Sequence, residues 1–310
     1  MRVTQLVGRL LEYSRLTVEG KRLNITNPWT LYMKEGTIVL SDGERFSFDE
    51  HTKGDILRIV FFALDNCVRF SRARTSGYDW LIYPAKQSGQ LGEARRRWII
   101  ETPSGIKLYA DRFHPTVMAE TFLYDTHYTE GLEGSTVIQA GGFNGDTALY
   151  YAQRGARVYS FEPDEQLYTL ALENIALNPA IQPRITFENY ALGKDGYTYP
   201  QRVERGRRAP AKRIRSLSLS TILREFRIAS PTLLDLDVKG AEFELLDDPA
   251  LALFEKVRIE YSPYLLGRRD LGPDTLIHRL RALGYRDIRV FKHNHLRYRL
   301  ENHGTLLAVK

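Results

Sequence analysis

The sequence predicts an α/β fold with a doubly wound, mostly parallel seven-stranded sheet, an antiparallel C-terminal hairpin and a smaller N-terminal α+β region. From Val137 onward, strand and helix patterns alternate, which is typical of a parallel sheet covered by helices on both faces. A glycine-rich turn follows the first of these strands. Residues 293–303, between the last two strand patterns, show no helical period, so we expect those strands to pair antiparallel at the sheet edge.

Hydrophobic periodicity gives the order of the elements along the chain. The predicted strands cover residues 136–140, 157–161, 184–188, 232–237, 256–261, 286–291 and 304–309. The predicted helices lie near residues 146–154, 164–177, 218–226, 240–246 and 273–283. Together they define a main domain at residues 111–310, preceded by an accessory α+β region at residues 1–110.

The accessory region combines helices with short strands and turns. Its predicted elements are a helix at Met1–Leu16, short strands within Trp29–Phe48, a buried helix at Asp55–Phe70, and a hairpin at Arg95–Phe113 that turns at Pro103–Gly105. Residues Gln87–Gly92 are the best candidate for a linker. The sequence pattern does not indicate a function for this region.

Composition indicates an ordinary soluble globular protein that is long enough to bury a full core. The 310 residues are 43% hydrophobic and 26% charged. The single Cys67 excludes an internal disulfide, and the amphipathic N-terminus is not typical of a signal peptide. The longest apolar run, Ile56–Leu64, contains Arg58 and is too short to span a bilayer. We therefore expect a cytoplasmic protein without a membrane partner, and the sequence leaves its oligomeric state open.

The turn after the first strand has the residues that an adenosine-bearing cofactor needs. Gly141, Gly142 and Gly145 allow the backbone to approach a ligand closely. Glu162 ends the next strand about 20 residues later, where an acid can accept hydrogen bonds from ribose hydroxyls. The segment is therefore predicted to be the cofactor-binding part of the domain.

The spacing of the same turn argues against a dinucleotide. That fingerprint needs glycine at the third and sixth positions, where this chain has Phe143 and Asp146. An acid at the start of the helix would repel a pyrophosphate. S-adenosylmethionine (SAM) has no phosphate and carries a sulfonium and an ammonium group, so a turn with Asn144, Asp146 and Thr147 suits its charge. We therefore expect SAM as the cofactor.

Four motifs in order resemble the FkbM family of SAM-dependent methyltransferases. They are VIQAGGFNGDTALYYA at 137–152, VYSFEPDEQLYTLALENIALNP at 158–179, ENYALG at 188–193, and LLDLDVKGAEFELL at 233–246, which is followed by VRIEY at 257–261. The resemblance covers roughly residues 110–310. It implies a class I methyltransferase, Rossmann-like fold and methyl transfer from SAM to a hydroxyl group of a sugar or another small molecule.

Candidate site residues follow from the motifs and from the carboxyl edge of the predicted sheet. Asp237 and Glu260 end the fourth and fifth strands, where a carboxylate can bind the methionine ammonium, orient the acceptor or take its proton. Lys239 is the third catalytic candidate, and no metal is predicted. The expected cofactor-binding residues are Gly141, Gly142, Phe143, Asn144, Gly145, Asp146, Thr147, Glu162, Pro163, Asn189, Ala191, Leu192 and Asp237.

Three positions depart from the usual family pattern. Gln139 stands where the family usually has Asp, Asp235 where it usually has Lys, and Lys239 where it usually has Glu. The last two exchanges have opposite signs, so they predict a local ion pair whose charges are exchanged.

Two groups of residues outside the motifs leave alternatives open. One group precedes the first strand and either covers the cofactor or packs under the sheet edge; its members are His114, Tyr124, His127 and Tyr128. The other group comes from the C-terminal hairpin and has no accompanying carboxylate or Cys set, so an exposed hairpin is favoured over a metal site; its members are His293, His295 and His303.

A basic segment at residues 202–215 points to a different partner. It contains Arg202, Arg205, Arg207, Arg208, Lys212, Arg213 and Arg215, in a chain of net charge +6. The segment is either a solvated loop or a site for an anionic acceptor such as RNA or a phosphorylated sugar. An RNA methyltransferase is therefore the alternative function, and a non-catalytic SAM-binding relic is the third.

Overall fold

The computed structural model describes two compact units, residues 1–126 and 127–310. The residues described are 32–34, 37–39, 45–47, 55, 58, 59, 62, 63, 65, 66, 68–85, 97–198, 203, 204, 207, 208, 213–238, 242–262, 272–292 and 304–310. The predicted helix at Met1–Leu16 and the predicted linker at Gln87–Gly92 lie outside them. The domain boundary expected near residue 110 stays a prediction.

The first unit contains two small sheets and a helix. Strands β1 (Tyr32–Lys34), β2 (Thr37–Val39) and β3 (Arg45–Ser47) form an antiparallel meander, and β4 (Phe70–Ser71), β5 (Trp80–Pro84), β6 (Trp98–Glu101) and β7 (Lys107–Tyr109) form a four-stranded sheet. Helix α1 covers Pro115–Phe122. The strands expected within Trp29–Phe48 and the hairpin expected to turn at Pro103–Gly105 are therefore present.

Aromatic packing holds the core of this unit together. Phe62, within the predicted helix Asp55–Phe70, lies in a helical segment and is fully buried. Its ring packs edge to face against Trp80, with centroids 5.0 Å apart, and against Phe113 at 5.4 Å. Such pairs add about 0.5–1.5 kcal/mol each beyond the buried area. This helix therefore packs against the four-stranded sheet.

The second unit contains the predicted α/β fold. Its elements are β8 (Thr136–Ala140), α2 (Asp146–Gln153), β9 (Arg157–Phe161), α3 (Glu165–Ala176), β10 (Ile185–Glu188), β11 (Ala191–Leu192), β12 (Gly196–Thr198), β13 (Val203–Glu204), β14 (Arg207–Arg208), β15 (Ile214–Leu217), α4 (Leu219–Glu225), β16 (Leu233–Leu236), α5 (Glu242–Leu245), β17 (Lys256–Tyr261), α6 (Pro273–Ala282), β18 (Asp287–Lys292) and β19 (Gly304–Val309).

The seven main strands form one sheet in the order β10-β9-β8-β16-β17-β19-β18. The first five are mutually parallel, and β19 lies antiparallel between β17 and β18. The chain order reverses at β8, so β8 and β16 meet at the switch point where open α/β sheets bind ligands. The predicted fold class is confirmed, including the antiparallel C-terminal pair.

Local chemistry explains where the helices begin. The Asp164 side chain accepts hydrogen bonds from the backbone N–H groups of Gln166 and Leu167, which caps α3. Ser218 caps α4 in the same way through Thr221. The central strands are mostly apolar and buried on both faces, and Ile138, Leu234 and Ile259 have no exposed surface. The helix starts and the central strands are thus both set by local sequence.

The strands that follow β10 in the chain include three that form a small sheet in the order β11-β15-β12. A two-stranded ladder of β13 and β14 lies within the basic segment. The sequence predicts an exposed loop or hairpin here, and the described part of the segment is a set of short paired strands.

Candidate functional site

The glycine turn after β8 is held between the ends of the neighbouring strands. The N–H groups of Gly141 and Gly142 both donate to the carbonyl of Phe161, at 3.0 and 2.9 Å. Gly141 has a φ of +87°, and a Cβ at this position would collide with the backbone carbonyl of Asp237. Phe143 has a φ of +45° without being glycine, a conformation that is uncommon for bulky side chains. The turn is therefore tight and conformationally demanding.

Glu162 follows β9 directly and lies against this turn. Its two carboxylate oxygens accept hydrogen bonds from the backbone N–H groups of Phe143 and Asp164, each at 2.8 Å. The residue is only 6% exposed. Burial, supported by the negative charges of Asp164 and Asp237, raises the pKa of Glu162 to about 7, although the two N–H bonds act in the opposite direction. Glu162 thus titrates near neutral pH.

The hydrogen bonds leave Glu162 able to bind a ligand. A carboxylate offers about four acceptor positions, and the two N–H bonds occupy two of them. Hydroxyl donors can take the others and would stabilise the ionised form. The remaining acceptor positions of Glu162 fit the ribose hydroxyls of an adenosine-bearing cofactor such as SAM, and the acidic surroundings fit the positive charges of SAM.

Backbone and amide hydrogen bonds tie the strand ends of this edge together. The N–H of Asp237 donates to the carbonyl of Ala140 at 3.0 Å, so the half-buried Asp237 lies beside the start of the glycine turn. The Asn189 side-chain amide donates to the carbonyl of Glu162 at 2.8 Å. The ends of β8, β9, β10 and β16 therefore form one continuous edge that carries two carboxylates.

Several predicted cofactor residues are buried inside the turn and the helix start. The side-chain oxygen of Asn144 accepts a hydrogen bond from the backbone N–H of Asp146 at 3.3 Å, and the backbone carbonyl of Asn144 accepts one from the side-chain amide of Asn174 at 2.8 Å. Thr147 is 5% exposed and its hydroxyl lies 3.4 Å from Nε2 of His127. The side chains of Asn144, Asp146 and Thr147 thus support the turn from within. Their binding role stays a prediction.

The remaining predicted residues are spread along the same edge and beyond it. Gly142 and Gly145 lie in the turn, Pro163 and Ala191 are half-buried, and Leu192 is buried in the core of the second unit. Lys239 lies outside the described residues, as do His293, His295 and His303. Among the described residues, no three metal-binding side chains form a cluster, and no helix has the length and apolar character needed to cross a membrane.

Glu260 lies on β17 and is 8% exposed. It shares a strand face with Arg258, two residues earlier, and its charge is one of those that raise the pKa of that guanidinium. Glu242, in contrast, is fully buried and accepts a hydrogen bond from the N–H of Ser262 at 2.7 Å. Glu260 is therefore a buried carboxylate near the end of β17, and Glu242 fixes the chain that follows this strand.

Behind the edge, a buried row of polar side chains crosses the sheet. Ser160, Gln139, Asp235 and Arg258 are paired in register on β9, β8, β16 and β17, so their side chains point to one face. The hydroxyl of Ser160 donates to the Gln139 side-chain oxygen, and the Gln139 amide donates to the carbonyl of Gly141 at 3.0 Å. The row thus connects the sheet interior to the glycine turn.

Asp235 is the centre of this row. It accepts hydrogen bonds from Arg258 at 2.7 Å and from the hydroxyl of Tyr151 at 2.8 Å, and it lies 3.1 Å from Nδ1 of His127. Burial alone would raise the pKa of Asp235, but the Arg258 charge and the His127 contact hold it well below its usual range. Among the described residues, Asp235 thus forms an ion pair with Arg258 on the next strand, and the predicted pair with Lys239 lies outside them.

This network is not apparent from the sequence. Arg258 is visible within the motif VRIEY, and the exchange at position 235 signals a changed ion pair, but neither observation identifies the partners. His127 is part of this network, through Asp235 and Thr147. His114 accepts the N–H of Val117 at the start of α1, and the exposed Tyr124 donates from its hydroxyl to the side-chain oxygen of Asn66.

Comparisons with solved structures give only distant similarities. A methyltransferase FkbM from Methylobacillus flagellatus is 15% identical with a TM-score of 0.43; the match covers 62% of this chain and 47% of that one. Magnesium protoporphyrin IX methyltransferase from Synechocystis is 17% identical, with a TM-score of 0.38 and coverage of 63% and 76%. The METTL16 MTase domain is 11% identical, with a TM-score of 0.43 and coverage of 89% and 87%.

The family comparison is decisive. No curated protein sequence matches the chain. The model of the methyltransferase FkbM domain matches residues 139–304, which is more than half of the chain and extends from the row residue Gln139 to the start of β19. The chain therefore belongs to the FkbM methyltransferase family.

Proposed function

We propose that this methyltransferase uses SAM and methylates a hydroxyl group of a small molecule or sugar. The observation that carries the proposal is the arrangement of Glu162 and Asp237 on either side of the glycine turn. The carboxylate of Glu162 accepts a hydrogen bond from the N–H of Phe143 in the turn, and the N–H of Asp237 donates to the carbonyl of Ala140 at the start of the turn. SAM supplies an electrophilic methyl group that is transferred by in-line displacement.

Each carboxylate has a distinct task in this proposal. Glu162 accepts the ribose hydroxyls, and its ionised form is stabilised by that contact. Asp237 is half-buried beside the turn and complements the positive charge of the methionine part. The close backbone approach at Gly141 fixes the two carboxylates relative to each other, which is how a protein contributes positioning to a displacement reaction.

Glu260 is the proposed general base. An alcohol loses its proton during attack, so a nearby carboxylate accelerates the reaction by about 10²–10⁴-fold. Glu260 is 8% exposed, near the end of β17, two strands from the glycine turn in the sheet order. Its position at the carboxyl edge and its low exposure support this role.

Calorimetry tests the proposal. SAM and its demethylated product should both bind, and Glu162→Ala should weaken binding by about 1.5–3 kcal/mol, the value of a charge-assisted hydrogen bond. Glu225→Ala, on the exposed end of α4, is the matched control and should bind normally. If neither SAM nor its demethylated product binds at millimolar concentration, the proposal is refuted.

A hydroxyl acceptor and the base are tested separately. Glu260→Gln should bind SAM normally but lower kcat in a methyl-transfer assay. The loss should be larger at neutral than at high pH, because hydroxide can replace the base at high pH. Equal loss of SAM binding and turnover would contradict the assignment of Glu260 as the base.

A further inference from the structure

Two arginines stack on two tyrosines in and next to the small sheet of β11, β15 and β12. The guanidinium of Arg213 lies 3.6 Å from the ring centre of Tyr197, and that of Arg215 lies 5.0 Å from the ring centre of Tyr190. Arg215 also donates to the Tyr190 hydroxyl at 3.2 Å. We call these four residues the Arg–Tyr surface. Both arginines are exposed, and Tyr197 is 52% exposed.

The Arg–Tyr surface adjoins the edge that carries the candidate site. Tyr190 immediately follows Asn189, whose amide is bonded to the carbonyl of Glu162. The N–H of Tyr190 donates to the carbonyl of Glu188 at 3.1 Å. The small sheet then pairs Arg215 with Tyr197 across β15 and β12. A molecule bound on this surface can therefore extend to the end of β10.

The charges of the edge and of the surface have opposite signs. The edge carries Glu162, Asp237 and Glu260, which suit a cationic cofactor and repel an anion. Arg213 and Arg215 form no ion pair with a carboxylate in the described part of the chain, so they can bind an external anion. Guanidinium groups bind phosphates through paired N–H donors.

We propose that the Arg–Tyr surface binds single-stranded RNA whose ribose hydroxyl is the methyl acceptor. The stacked arginines contact phosphates, and a base stacks on the exposed side of Tyr197 or its arginine. This inference rests on the proposed transfer of a methyl group from SAM to a hydroxyl group, and it takes the ribose of an RNA, an anionic substrate, as the acceptor in place of a small molecule.

Fluorescence anisotropy with a labelled single-stranded RNA of about twelve nucleotides tests the inference on the full chain. Binding should weaken steeply between 50 and 200 mM salt. Arg213→Ala/Arg215→Ala should lower the slope of log K against log salt by about 1.4, which is about 0.7 for each lost contact to a single strand. Tyr197→Ala should weaken binding at least about fivefold.

The matched control is Arg281→Ala/Arg286→Ala, which removes two exposed arginines at α6 and before β18. It should leave the salt slope within the error of the native chain. Calorimetry with SAM should give unchanged affinity for all these variants, which separates this inference from the proposed function. Chains that bind SAM but no RNA at 50 mM salt, or equal losses in both double variants, would overturn the inference. Displacement of RNA by millimolar sugar phosphate would also overturn it, in favour of a small acceptor.

Discussion

The affinity for SAM should depend on the protonation of Glu162. The pKa of this carboxyl is about 7 in the cofactor-free protein because the group is buried beside Asp164 and Asp237. The carboxylate is the form that accepts both ribose hydroxyls. Cofactor binding should therefore select the ionised form, and protons should be released when SAM binds below pH 7.

The size of the effect follows from the ionised fraction. With a pKa of about 7, the ionised fraction rises from about 3% at pH 5.5 to about 50% at pH 7, and apparent affinity scales with the competent fraction. SAM should therefore bind about 16-fold more tightly at pH 7 than at pH 5.5. At pH 6 about 0.9 proton should be released for each SAM bound.

Isothermal titration calorimetry measures both quantities. The pH range from 5.5 to 7 keeps the amino group of SAM largely protonated, and two buffers of different ionisation enthalpy give the number of protons released. Glu162→Gln should bind weakly with a flat pH profile, because an amide does not titrate. Glu225→Gln should keep the native profile.

Two results would refute this reasoning about Glu162. One is an affinity of the native chain that does not change between pH 5.5 and 7. The other is a Glu162→Gln chain that retains the native slope, since the titrating group would then lie elsewhere. The native pH profile decides the question even if the glutamine variant folds poorly.

Three further predictions concern stability. The pKa of Glu162 is higher in the folded chain than its unfolded value of 4.5. Its contribution to the free energy of unfolding is therefore present below pH 4.5 and is lost as the pH rises through 7. Urea unfolding of the cofactor-free chain should show a loss of up to about 3 kcal/mol by pH 8, and Glu162→Gln should lack this loss. Gly141→Ala should destabilise the fold by more than about 1–2 kcal/mol, because φ is +87° and the Cβ meets backbone; Gly193→Ala, with open space around its Cβ, should be nearly neutral in the same assay. Asp235→Asn should cost about 3–5 kcal/mol by leaving the Arg258 charge buried without a counter-charge, whereas Asp235→Leu/Arg258→Met should cost much less, and equal unfolding midpoints for these two variants would contradict the ion-pair argument.

The main sheet is predictable because its strands and helices have different periods. Runs such as Val137–Ala140 and Leu233–Leu236 are buried throughout and apolar except at Gln139 and Asp235, as expected of strands buried on both faces, and a glycine or a capping side chain marks the following helix. Glu162 is predictable for the same reason, since its place after the second strand follows from element order. These features depend on neighbouring residues in the chain.

The Asp235 network depends instead on tertiary contacts. His127 and Asp235 are 108 positions apart, and Tyr151 and Asp235 are 84 apart. A single sequence gives the polar residues but not the register that places them together. The small sheet of β11, β15 and β12 is missed for a similar reason, because its two- to four-residue strands are too short to show a period.

Gln139 and Asp235, the two described residues that depart from the usual family pattern, are neighbours in the sheet. The two residues are paired across β8 and β16, and Arg258 is paired with Asp235 on the other side. A carboxylate at position 139 would face Asp235 and repel it. The neutral amide avoids this repulsion, and it donates to the carbonyl of Gly141, which an ionised carboxylate has no hydrogen to do. Gln139 thus fits beside the Asp235–Arg258 ion pair and supports the glycine turn, so Gln139 by itself is no argument for a lost activity.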